Sequence, residues 1–249
     1  MAVAYVLAHF DDEYFAEPLI REQLRAGEDL WFFYVADYRT PALAERRHGE
    51  SRRYLAHLGA DPGRALHTGG GTGAQDGAVH RALAPAYAAL AAAAVRAGPI
   101  RQVVTTAYEG GHMDHDCCAA LASALAREHG APLEQFSLYN GLGAPAPLFR
   151  AARPLPQNGP VRRVAVQGWA RWMAGVRFFP SQARTWMGLW PMMYASLLAG
   201  GFGVQGLEPA RLAERPHAGQ LLYERMFGVA YAEVRAALDE FASCGPGPA

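Results

Sequence analysis

The chain has 249 residues, 51 % of them hydrophobic, which is enough for one well-buried core and too few for a comfortable second full domain. Its 23 basic and 23 acidic side chains cancel, and the basic ones, all arginine, are scattered, so the electrostatic footprint of a nucleic-acid binder is missing. Three cysteines, Cys117, Cys118 and Cys244, are an odd count with an adjacent pair, which argues against a disulfide framework and fits a reducing cytoplasm.

The apolar N-terminus lacks a basic n-region and does not read as a signal peptide. Strand-like runs occupy residues 2–8, 29–38, 64–68, 101–108 and 133–140, with helix-like segments between them. That alternation predicts an α/β fold: a Rossmann-like, doubly wound and mostly parallel sheet with helices on both faces. The first helix begins at Pro18, the second runs from Ala42, and the third starts at Ala78 with Pro85 threatening to break it. The fourth starts at Asp114, and Gly27, Gly59, Gly98 and Gly130 stand where helices should end.

Beyond residue 141 the composition shifts to Gly, Pro, Trp and Met, so residues 1–140 read as the core and 141–249 as a variable packing and pocket region of a single domain. Residues 141–160 read as a long loop. The uncharged stretch from Thr185 to Leu207 is long enough to cross a bilayer, but Pro191, a Gly-Gly pair and Gln205 interrupt it. It reads as a buried helix and a Gly-rich turn, with an apolar wall, lid or subunit contact beside an active site as the alternative; no membrane span is expected. A last helix follows Tyr223, and homo-oligomerisation stays open.

In open α/β sheets, ligands bind beyond the carboxyl ends of the strands, which points to "HFDDE" (residues 9–13) and "EGGHMDHD" (residues 109–116). Buried carboxylates need a cation, a donor or a proton. His9 with Asp12, and His112 with His115, supply the imidazole and carboxylate mix that suits zinc or ferrous iron. A catalytic site needs three ligands, an open position for water and a free carboxylate to accept a proton. Asp11 and Asp12, being adjacent, point in different directions and can divide those tasks.

"AHFDDE" and "GGHMDHD" resemble the paired signatures of the PIG-L or LmbE-like family of zinc-dependent N-acetylglucosaminyl de-N-acetylases, over roughly the first 140 residues. Phe10 and Met113 stand where that family usually has proline, which bears on the rigidity of the loops rather than on the ligands. The resemblance implies one divalent ion, Zn2+ with Fe2+ as the alternative, held by His9, Asp12 and His115. It makes Asp11 the general base and sets His112 at the oxyanion or leaving amine. Asp114 would orient an imidazole, or cap the following helix. Glu13 reads as a carboxylate favoured near a helix start.

Two further segments resemble family substrate contacts. "RHGESRRYLAHLG" puts Arg47 where a sugar hydroxyl is usually reached, against the plainer reading of a solvated arginine on a helix face, and "GGGTGAQDG" puts Asp76 in a loop on the same rim. The remaining histidines lack partner spacing, Tyr108 and Glu109 could line the pocket, and Trp169, Trp172, Trp186 and Trp190 read mainly as packing.

The implied activity is hydrolysis of an N-acetyl or other N-acyl group from an amino sugar or its conjugate, a small-molecule substrate. The alternatives are an amidase acting on a non-sugar N-acyl group and, in another class, a non-catalytic ligand-binding protein.

Overall fold

The computed structural model describes residues 1–145 and 147–244. A seven-stranded sheet forms its centre, in the order β3-β2-β1-β4-β5-β9-β8. The first five strands are parallel: β1 (Ala2–Leu7), β2 (Asp29–Tyr34), β3 (Ala65–His67), β4 (Ile100–Thr106) and β5 (Leu133–Phe136). Each falls on a run expected to be a strand. The order reverses between β1 and β4, and the two loops rich in His and Asp leave the sheet at this point.

Alternation along β1 shows why the sheet is buried on both sides. Val3, Tyr5 and Leu7 pack in one cluster with Leu19 and Ile20 of α2 (Glu17–Arg25) and with Tyr54 and Leu55 of α3 (Pro41–Leu58). Ala4, Val6 and Ala8 pack in a second cluster with Leu90 of α4 (Leu83–Ala94), Leu121 of α5 (Met113–His129) and Leu238 of α9 (Tyr231–Ser243). A short α1 (Asp12–Phe15) precedes α2, which carries Pro18 in its first turn, where a missing N–H costs nothing. Pro85 lies in the first turn of α4, and the preceding residues Val79–Ala82 form a 3-10 turn, so the expected break is real.

Several expectations need correction. Residues 133–140 are not one strand: β5 stops at Phe136, and Tyr139–Asn140 (β6) pairs instead with Arg150–Ala151 (β7), inside what read as a loop. The Gly-rich segment after the apolar helix is not a turn. It is β9 (Phe202–Gly206), antiparallel to both β5 and β8 (Arg162–Val164). Glycine hides its strand character, and a Cβ at Gly203 would press on the Val161 side chain. The expected last helix is two, α8 (Leu222–Met226) and α9, separated around Gly228 at φ 68°.

The apolar segment forms α7 (Ala183–Gly200), entered from α6 (Trp169–Gly175) through two 3-10 turns. Trp186, Leu189, Met193, Tyr194 and Leu197 of α7 are buried with the α2–α3 layer. Among the described residues no helix is long and apolar enough to cross a membrane. Truncating the buried Leu197 to Ala should therefore cost about 2–5 kcal/mol, the range for an uncollapsed core cavity. Urea denaturation measures it; a change below ~0.5 kcal/mol would contradict the packing of α7.

Candidate active site

Residues 8–11 carry the chain from β1 into α1. Phe10, at the position of the expected proline, is fully buried, with its ring 5.3 Å from that of Tyr38 and 5.0 Å from that of His48, both stacked. Its N–H donates to Tyr38 Oη at 3.2 Å, which a proline could not do, and its carbonyl accepts from Gln182 Nε2. Rigidity that a pyrrolidine ring would supply covalently comes here from packing and hydrogen bonds. His48 and His67 close this cage while bonding to the carbonyls of Ala65 and Ala36, each at 2.9 Å.

The next residue, Asp11, has φ 126°, a region that costs a non-glycine residue about 1–3 kcal/mol. Its N–H donates to Glu13 Oε2 at 3.1 Å, and its Oδ2 accepts from Trp186 Nε1 at 2.9 Å. Glu13 thus supports the strained turn. Burial, and then the adjacent Asp12, hold the Asp11 carboxyl well above the usual range, with His9 and Arg47 pulling the other way.

The second loop leaves β4 and enters α5. Gly111 passes so close to the Tyr139 carbonyl that no Cβ fits. The cap of α5 is His112, not Asp114: its Nδ1 accepts from the Asp114 N–H at 3.2 Å. Asp114 lies one step inside the helix, fully buried, where Oδ2 accepts from Gly77 N–H (2.7 Å) and lies 3.0 Å from His9 Nε2 while Oδ1 accepts from Val79 N–H (3.0 Å). That network saturates the carboxylate and fixes the His9 ring, leaving His9 Nδ1 facing Asp12 at 3.9 Å.

Donor atoms of His9, Asp12 and His115 converge within 4.8 Å of one another, in a geometry that could hold a metal ion; His9, His112 and Asp114 form an overlapping group. His115 Nε2 is buried without a hydrogen bond, although Asp12 Oδ1 is 3.2 Å away. A buried nitrogen aimed at a carboxylate yet poorly aligned for hydrogen bonding is what a shared cation would explain. Although burial opposes it, the carboxylates of Asp114 and Asp76 raise the pKa of His9 well above the ordinary value, so the cluster attracts positive charge. His112 behaves oppositely: burial, with His9 and His115 nearby and only partly offset by Asp114, lowers its pKa to about 3. It is a neutral imidazole whose Nδ1 is already an acceptor, which leaves the proton on Nε2.

Arg47 and Asp76 do meet at the same cleft. Arg47 Nη1 donates to Asp76 Oδ2 at 3.2 Å, and Asp76 Oδ1 is 3.4 Å from His9 Nε2. Burial opposes ionisation of Asp76, but His9 and Arg47 outweigh it and hold the carboxyl below its usual range. All eight sequence-predicted site residues except Asp114, which stands behind His9, line one cleft of about 240 Å3.

Sequence reasoning undervalued three supports. Trp186 and Gln182, at the start of α7, grip the 10–11 turn; the uncharged run that contains Trp186 was the available signal. Glu50 of α3 fixes their approach by accepting from the Ser181 N–H and hydroxyl at 3.1 and 2.6 Å. Glu109 is buried and accepts from Ser137 Oγ, Leu138 N–H, Tyr139 N–H and Asn140 Nδ2 at 2.6–3.0 Å, anchoring the segment that carries Tyr139 into the cleft. Cys117 and Cys118 are buried packing residues, as read, and Trp172 is core.

Residues 4–126 match the PIG-L family, described as GlcNAc-PI de-N-acetylase. No match is found among curated proteins. Among solved structures, the zinc inhibited form of teicoplanin deacetylase Orf2 is similar with a TM-score of 0.61 at 15 % identity, over 84 % of this chain and 98 % of that one. The A40926 pseudoaglycone deacetylase Dbv21 scores 0.59 at 18 % identity, over 88 % and 99 %. The conserved protein TT1542 from Thermus thermophilus scores 0.56 at 19 %, over 84 % and 94 %. At these identities the likeness is one of fold.

Replacing Glu109 by Gln keeps the shape but turns one acceptor into a donor facing donors. Unsatisfied buried partners cost about 1–3 kcal/mol each, so Glu109→Gln should lose about 2–4 kcal/mol in urea denaturation, where no loss would deny its anchoring role.

Proposed function

We propose, from the premise that residues 4–126 form a PIG-L family domain, that the protein is a metal-dependent hydrolase removing an N-acetyl or related N-acyl group from an amino sugar or its conjugate. The observation that carries this reading is the convergence of His9, Asp12 and His115 within 4.8 Å beside a strained, separately held Asp11. In this reading those three residues hold one divalent ion, zinc before ferrous iron; a fold neighbour that takes up zinc, though in an inhibited form, supports a divalent ion at such a site rather than the choice of zinc. The two imidazoles and one carboxylate suit either ion, and the orphaned His115 nitrogen fits a ligand role. When bound, such an ion supplies the charge that acidifies a water and polarises an amide carbonyl.

The remaining work falls to the chain. Asp11 accepts the proton of the attacking water and returns it to the leaving amine, its direction set by Trp186 Nε1. His112 keeps its proton on Nε2 and donates it as a hydrogen bond to the oxyanion that develops on the carbonyl. Asp114 orients His9. Arg47 and Asp76 stand at the rim to bind sugar hydroxyls.

A non-catalytic binder has no use for a backbone held at φ 126° to aim a second carboxylate, and this weighs against that rival. In the same reading the chain is one domain, which is supported by the way β8 and β9 complete the sheet begun by the N-terminal strands. The unpaired cysteines support a cytoplasmic setting.

Metal analysis of protein purified without chelators should find about one divalent ion per chain. Asp12→Ala should lose metal and turnover together, whereas Asp11→Asn should keep the metal and lose turnover by about 100- to 10,000-fold. If Asp11→Asn keeps full turnover on N-acetylated amino sugars, the base is elsewhere. A parallel comparison divides the histidines. His115→Ala should empty the site while His112→Ala should slow release of the amine with metal retained, and identical behaviour would erase the distinction between ligand and oxyanion donor.

A further inference from the structure

The cleft does not end at the histidines. A second groove of about 360 Å3 opens from it, and the two share Tyr139, Thr185, Leu189 and Phe227 as lining. Phe149, Leu222 and Met226 complete its apolar walls, and Arg184 is its one charged lining residue. Met226 and Phe227 are about half exposed, at 57 % and 48 %, so the groove presents uncovered apolar surface at the mouth of an otherwise polar site.

Its direction is set by the residues that meet the histidines. Asp76, which accepts from Arg47, lies against His9. Phe227 packs instead on His112 with ring centres 4.9 Å apart, and the Tyr139 ring lies 5.6 Å from that of His115. A sugar held by Arg47 and Asp76, with its amide carbonyl facing His112, therefore sends its acyl substituent into the apolar groove. Resting on the hydrolase reading above, we infer that the natural substrate carries an acyl chain longer than acetyl, and that this groove receives it. Acetyl alone would leave the apolar walls in contact with water, whereas each methylene transferred to them gains binding in the transition state.

Gly188 of α7 lines the same groove, and a Cβ built there meets nothing within 4 Å. Gly188→Leu therefore adds its Cβ without a collision and brings apolar bulk to the groove lining. The experiment compares kcat/KM of the zinc-replete protein on N-acetyl-, N-hexanoyl- and N-octanoyl-glucosamine, and on the octyl glycoside of N-acetylglucosamine. The expected result is a rise of roughly threefold per added acyl methylene until the groove is full, with the octanoyl-to-acetyl ratio collapsing in Gly188→Leu. A flat or falling acyl series overturns the inference, and a gain confined to the octyl glycoside overturns it in favour of an apolar group on the amine side. Calorimetric titration with octanamide, which needs no turnover, separates the two claims. If no amide is cleaved yet octanamide binds the wild type and not Gly188→Leu, the groove stands and the hydrolase reading falls; if octanamide does not bind the wild type, the groove falls.

Discussion

Everything at the carboxyl edge of the sheet is arranged around three aspartates, Asp11, Asp12 and Asp114, buried within one cluster. A buried carboxylate is costly unless it is met by donors or positive charge. Each aspartate is met differently: Asp114 by two backbone amides and an imidazole, Asp12 by the His9 amide and the approach of His115, Asp11 by one indole N–H. The gradient of satisfaction follows the roles proposed for them. The saturated acid is a fixed support, the half-satisfied one can share a cation, and the least satisfied one is free to take a proton.

Holding such a cluster requires rigid backbone on both sides. Strand order reverses between β1 and β4, so two loops diverge from neighbouring strands and leave a crevice between them. Each loop is then clamped from outside. The first depends on the Phe10 cage and on Gln182 and Trp186, the residues at the start of α7; the second depends on Asp116, whose Oδ1 accepts from the Glu109 and Gly110 amides, both at 3.1 Å. The strain at Asp11 is sustained because Glu13, Trp186 and the fixed neighbours leave the turn no alternative.

The region after residue 141 is therefore no appendage to the chemistry. It adds β8 and β9 to the sheet, supplies the indole on Asp11, and builds the apolar wall beside His112 and His115. Glu109 is the link between these halves, since its carboxylate gathers residues 137–140 and presents Tyr139 to the cleft.

Much was legible in the sequence. Local signals carried the five parallel strands, the helices that follow them, the run of acids at a strand end, and the partner loop with its two histidines, because period-2 and period-3.6 patterning and turn chemistry act over short stretches of chain. The family motifs likewise lie in two contiguous runs. Tertiary structure alone decided what depends on distant residues meeting. That Phe10 replaces a proline by sitting among Tyr38, His48 and His67, that His112 rather than Asp114 caps α5, and that Glu109 is an anchor are all outcomes of contacts between separate segments. The Gly-rich β9 and the grip of Trp186 on Asp11 belong to the same class: neither has a periodic pattern of its own, and each exists because a neighbouring strand or loop offers the bond that the local sequence cannot specify.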